Sequence, residues 1–148
     1  MQDILTCAMG LDVHRDIIVA CLVKGAVDAE PEAETRTFST LIPEMQKLRD
    51  WVIESECRNI AMESTGIYWQ PIYEMLESCF DGEISILVVN ARHMKNVPGR
   101  KTDMKDAQWI ATLLRAGLLK GSFIPDKAFR ELRHLTRYRK SVVHDICL

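Results

Sequence analysis

Four short apolar runs and one weaker stretch, each too brief for a stable helix, set the limits on how this chain can fold. Thr6 to Leu11, ending on Asp12, and Ile17 to Val23 are separated only by a tight His14-Arg15-Asp16 connection, which makes them a hairpin. Gly25 to Glu34 is acidic and loop-like, and Arg36 to Ser39 reads as a weak third strand. Pro43 stands where a first helical turn tolerates proline, and Met45, Leu48, Trp51 and Val52 give an amphipathic helix to about Ser55. Arg58 to Met62 is a fourth strand, closed by Glu63-Ser64-Thr65-Gly66. A second helix spans roughly Tyr68 to Ser78, and Ile84 to Val89 is a fully apolar fifth strand. Asn90 to Arg100 forms a basic loop leading into a third helical pattern through Trp109, Ile110, Leu113 and Leu114, which Gly117 ends. Ser122 to Pro125 is extended, and Asp126 starts a last basic helix still running at Leu148.

Three strands joined by short links are expected to be antiparallel, whereas strands that alternate with helices are expected to be parallel. The outcome is an α/β fold, a mixed five-stranded sheet flanked by helices, with the first strand central and the fourth beside it. That is the ribonuclease-H-like arrangement. Residues 1–121 form this domain, and 122–148 begin a helical connector. In the connector Ala128, Leu132, Leu135, Arg139, Val142 and Ile146 follow a heptad seam interrupted by one arginine. The seam is read either as the start of a coiled coil that makes a homo-oligomer, a dimer or tetramer, or as an amphipathic helix packed on its own domain.

Charge divides the chain. Residues 1–90 carry 6 lysines and arginines against 16 acidic residues, whereas 91–148 carry 13 against 5, so a net −2 conceals an acidic part and a basic part. A basic part of this kind points to an anionic partner, a solvated basic face being the plainer reading. The five cysteines are odd in number and form no C-x-x-C pair, which argues against structural zinc and a disulfide framework and fits thiols used as small core hydrophobes in a reducing cytoplasm. No apolar run approaches the ~20 residues that span a bilayer, and no signal peptide opens the chain.

The chemistry concentrates on carboxylates. Asp103 and Asp106 are three apart, so on a helix they share a face, where they repel unless a cation lies between them. N-capping is the bland alternative for this pair. It does not account for Asp12 and Glu63, which stand at the ends of strands one and four, neighbours in such a sheet. Four acids from three distant segments then converge on a hard cation, Mg²⁺ or Mn²⁺, with two ions about 4 Å apart as the arrangement suited to phosphodiester chemistry. Arg92, His93, Lys95, Arg100, Lys101 and Lys105 are placed to hold phosphates, and Arg130, Arg133, Arg137 and Lys140 to extend that surface along the last helix.

Gly10-Leu11-Asp12-Val13-His14, Met62-Glu63-Ser64-Thr65-Gly66 and Lys101-Thr102-Asp103-Met104-Lys105-Asp106-Ala107 together resemble the DEDD transposases of the insertion-sequence 110 type, relatives of the Piv DNA invertases. The resemblance extends over essentially the whole chain, including Asn90-Ala91 and Phe123-Ile124-Pro125. It implies a first domain similar to the Holliday-junction resolvase RuvC, with Asp12, Glu63, Asp103 and Asp106 as a Mg²⁺-binding catalytic tetrad that cleaves and exchanges DNA strands. It also implies a second domain with a serine nucleophile past the connector, which these 148 residues do not include. The chain alone is therefore expected to bind nucleic acid and assemble rather than recombine DNA. Some family members use a structured guide RNA, and the sequence leaves that open here.

A non-enzymatic module for nucleic-acid binding and oligomerisation is the alternative. An actin-like or sugar-kinase ATPase shares the first-strand aspartate but needs a second similar domain and glycine-rich phosphate loops, which this sequence lacks. Among neighbouring residues, Ser64 and Thr65 suit capping of the next helix, Gly66 a backbone need at the turn, and Trp69 the core, while Tyr68 is open between core and base stacking. His14 is either an exposed hairpin histidine or a group that acts near the phosphate.

Overall fold

The structure is a computed structural model that describes residues 4–64, 66–80, 83–90 and 106–121, with 131, 132, 135–137 and 139 beyond them. Its elements are β1 (Cys7–Val13), β2 (Ile17–Lys24), β3 (Glu32–Ser39), α1 (Ile42–Glu54), β4 (Asn59–Ser64), α2 (Trp69–Phe80), β5 (Ser85–Val89) and α3 (Asp106–Arg115). The sheet order is β3-β2-β1-β4-β5. β1 pairs antiparallel with β2 and β2 with β3, whereas β1–β4 and β4–β5 are parallel. Short links thus gave antiparallel neighbours and helical crossovers gave parallel ones, with β1 in the middle as expected.

Alternation along the central strands sends side chains to two different layers. Met9, Leu11 and Val13 of β1, Ile18, Ala20 and Leu22 of β2, and Ile60 and Met62 of β4 enter the main core with Leu48, Trp51 and Val52 of α1 and Ile72 and Leu76 of α2. The opposite face carries smaller residues, and among the described residues α3 is the helix packed there. Ile110 and Leu114 pack on Ala8 and Ala61, and Ala107 and Ala111 on Cys21 and Val23. Gly117, at φ 73°, closes α3 in the left-handed conformation, and its N–H and that of Leu118 bond to the carbonyls of Leu114 and Leu113.

Two expectations need correction. The third strand begins at Glu32, not Arg36, and pairs with β2 residue for residue out to Lys24↔Glu32. It is an edge strand whose residues 32–37 are exposed, so it lacks the apolar alternation that betrays a strand. β4 continues through Glu63 and Ser64 instead of stopping at Met62, because β1 pairs with it to Ser64 and β5 to Glu63. The connector seam falls mostly outside the described residues; of its members Leu132 and Leu135 are exposed.

Cysteines distant in sequence meet across the sheet. Cys21 and Cys57 are buried as expected, Cys7 is half-buried, and Cys79 is exposed. Side-chain hydrogen bonding with Cys57, with burial opposing and Lys24 assisting, lowers the Cys7 thiol to about 7, while the Cys57 thiol also lies 3.3 Å from the Asn59 carbonyl. The hydrogen bonding with Cys7, together with burial, pushes Cys57 up. Cys7 therefore carries more thiolate at neutral pH than an ordinary cysteine, and the thiolate is the form that reacts. Alkylation of Cys7 by iodoacetamide, followed by peptide mass spectrometry, is expected to rise with a midpoint near pH 7. In Cys57→Ala that partner is gone, so the midpoint moves up towards that of a free thiol; an unmoved midpoint would show that Cys57 does not set it.

Candidate metal and nucleic-acid site

On β1 the residues facing α3 are Ala8, Gly10 and Asp12; on β4 they are Ala61 and Glu63. Asp12 and Glu63 are register partners in the parallel pair, so their carboxylates leave the same face of two adjacent strands. Neighbouring strands lie about 4.8 Å apart, so the two carboxylates start from adjacent backbones. The Asp12 side chain retains 16% exposure, so it is mostly withdrawn from water.

Gly10 brings the third segment in. A Cβ at this position would run into the carbonyl oxygen of Ala107 and come within 2.6 Å of the Ala111 backbone nitrogen. The backbone of α3 thus rests directly on that of β1, an approach that only glycine permits. Ala107 sits over Gly10, while at the helix end the Arg115 side chain bonds to the carbonyl of Leu5. The helix therefore runs antiparallel to β1, and its first residue, Asp106, opens it at the rim where Asp12 and Glu63 stand. Three acids from three segments are carried to one rim of one face. Among the described residues no three His, Cys, Asp or Glu side chains gather closely enough to be a formed metal cluster.

The rim is stiffened by the β1–β2 turn. The His14 N–H bonds to the Ile17 carbonyl at 2.9 Å. The Thr40 hydroxyl and N–H bond to the carbonyls of Arg15 and Asp16 at 2.9 and 3.2 Å. The His14 ring reaches back so that Nε2 lies 3.1 Å from Oδ2 of Asp12. An exposed hairpin histidine is thus only half the description, for the ring is half-exposed yet seated on a candidate ligand.

Of the other expected site residues, Asp103, Arg92, His93, Lys95, Arg100, Lys101, Lys105, Arg130, Arg133 and Lys140 lie outside the described residues, as does Thr65, and Arg137 is exposed. Ser64 is half-buried at the end of β4, and Gly66 takes φ 60°, the backbone need expected of it. Trp69 meets Tyr73 edge-on at 5.4 Å against the main core, while Tyr68 is exposed. Sequence reasoning passed over Arg115, a buried arginine at the far end of α3. Its position in the last helical turn reads as a dipole complement, and nothing in its immediate sequence marks it as internal.

A family model described as a transposase matches residues 9–147. No curated protein sequence matches the chain. Among solved structures, the RuvC of Thermus thermophilus superposes with a TM-score of 0.52 at 12% identity, covering 78% of this chain and 99% of that one. The T. thermophilus RuvC in complex with a Holliday-junction substrate gives 0.50 at 12% identity, covering 80% and 100%. At this identity the likeness establishes the fold.

Proposed function

We propose that this chain, which belongs to the DEDD transposase family of the insertion-sequence 110 type, is the RuvC-like part of a DNA recombinase, the part that cleaves strands with the help of a divalent metal. The observation that carries the reading is the pairing of Asp12 with Glu63 in adjacent parallel strands, at the rim where α3 begins with Asp106. Carboxylate oxygens are the donors that Mg²⁺ and Mn²⁺ take, and a cation relieves the repulsion between register-paired acids, so the residues present fit such an ion. Asp12, Glu63 and Asp106 would hold it, with Asp103 as a further ligand or a general base. Two bound ions would supply an activated attacking oxygen and a stabilised leaving oxygen in phosphodiester cleavage.

The chain's own residues have separate tasks in this scheme. Arg92, His93, Lys95, Arg100, Lys101 and Lys105 hold phosphates ahead of the acids without reading sequence, and Arg130, Arg133, Arg137 and Lys140 extend the contact along the connector. Residues 1–121 serve as the catalytic domain and 122–148 as the start of a coiled-coil arm that joins copies. DNA is the substrate and the cytoplasm the place of action, with the use of a structured guide RNA left open. No helix among the described residues is long and apolar enough to cross a membrane.

Thermal unfolding with and without Mn²⁺ tests the site. An ion at 100 times its Kd stabilises by about 2.7 kcal/mol, which is a shift of several degrees for a domain of this size. Asp12→Asn and Glu63→Gln are each expected to abolish the shift while leaving the metal-free protein as stable as before or more so. An equal shift in those variants would remove the ion from this rim. The second reading, a nucleic-acid-binding module without catalysis of its own, draws on the excess of basic residues after position 90. It is favoured where the wild-type chain binds duplex DNA in a salt-dependent way and shows no Mn²⁺ shift.

A further inference from the structure

We infer that His14 is a positioning residue for the ion site: its ring holds Asp12 in the rotamer in which that carboxylate serves as a ligand. The inference rests on the metal reading above. Nε2 of His14 lies 3.1 Å from Oδ2 of Asp12, hydrogen-bonding distance, which leaves Oδ1 as the oxygen of Asp12 available to a cation. The base of the ring is not free to drift. His14 and Ile17 flank the two-residue loop Arg15-Asp16, the His14 N–H is bonded to the Ile17 carbonyl, and Thr40 braces the loop through the carbonyls of Arg15 and Asp16. As the second residue after Asp12, His14 falls on the same side of the extended chain.

Stability does not explain the contact. The His14 side chain is 49% exposed, and an ion pair with one partner so open to solvent contributes little to folding. What it supplies is orientation. A carboxylate ligand that rotates freely loses side-chain entropy when an ion captures it, and a partner that fixes it beforehand removes that cost. Partners of this kind typically alter metal affinity 10- to 100-fold when removed.

The test measures Mn²⁺ affinity of the 148-residue chain by electron paramagnetic resonance at one fixed pH, with metal-free melting temperature as a second readout. His14→Gln carries an amide N–H at about the reach of Nε2, whereas His14→Asn is too short and His14→Ala has no donor. Expected is a loss of roughly tenfold or more in His14→Ala and His14→Asn, near wild-type affinity in His14→Gln, and unchanged metal-free melting in all three. Wild-type affinity in His14→Ala would overturn the inference. So would an equal loss in His14→Gln, which would make the ring itself a ligand. Wild-type and Asp12→Asn chains that bind Mn²⁺ alike would sink the metal reading, and this role with it, without any His14 variant being made.

Discussion

Gly10→Ala is expected to destabilise the chain by about 3 kcal/mol and to cost it Mn²⁺ binding beyond what the loss of stability explains. A single methyl group usually costs less, because overpacking is relieved by side chains that rotate away, at about 1–3 kcal/mol. Here the obstacles are the carbonyl oxygen of Ala107 and the backbone nitrogen of Ala111, neither of which can rotate. Relief requires that α3 as a whole lift off β1. That movement uncovers Ile110 and Leu114, which are buried on Ala8 and Ala61, and it carries Asp106 away from the rim that holds Asp12 and Glu63. Urea unfolding reads the first effect as a lower midpoint. Manganese titration under conditions where the variant is still folded reads the second. A variant with wild-type midpoint and affinity would mean that α3 does not rest on Gly10.

The acids at the strand ends were legible because the strands that carry them are the most apolar and regular in the chain. Met9, Leu11 and Val13 alternate with small residues, and Asp12 interrupts that pattern where a buried strand would not tolerate a charge without purpose. Glu63 was legible for the same reason, although the strand reaches it and goes on to Ser64, since pairing with β1 and β5 carries a strand past the point where its own sequence turns polar. β3 was the misreading. Only Phe38 of its residues is buried, so Glu32 to Thr37 have a loop's composition and are held extended by their pairing with β2, with Arg36 laid over the Trp51 ring of α1. Gly10 stood in a recognisable motif, but its role is a tertiary one: the need for glycine is set by a helix nearly a hundred residues away.

His14 and Cys57 show the same limit on a smaller scale. A histidine in a hairpin is normally a solvated side chain, and only the two-residue turn, with its bond from His14 to Ile17, folds the ring back onto Asp12. Cys7 and Cys57 are fifty residues apart and become partners only because Met9 and Ile60 are in register on β1 and β4. Pairings across a sheet follow from register, which a sequence specifies collectively and not at any single residue.

Arg115→Met is expected to destabilise the chain by about 3–5 kcal/mol while leaving Mn²⁺ affinity of the folded protein unchanged. The guanidinium is 1% exposed; its Nε donates to the Leu5 carbonyl at 2.9 Å, and Nη2 donates to Gly25 and Ala26 at 3.0 and 2.6 Å. In return the Arg115 carbonyl accepts the N–H groups of Ile4 and Leu5 at 2.8 and 3.1 Å. One residue thus ties together the approach to β1, the exit from β2 and the end of α3. Methionine matches much of the volume but donates nothing, so those carbonyls lose a partner at about 1–3 kcal/mol for each that stays buried, less whatever water recovers. Lysine keeps the charge, but its compact ammonium cannot reproduce the planar fork that spans separate carbonyls, so Arg115→Lys is expected to fall between methionine and wild type. Arg115 lies at the end of α3 remote from Asp106, and well-separated sites act independently. Stability lost with affinity kept at Arg115, against both lost at Gly10, is the contrast expected if one end of α3 secures the fold and the other serves the ion. Equal damage to affinity from both variants would refute that division.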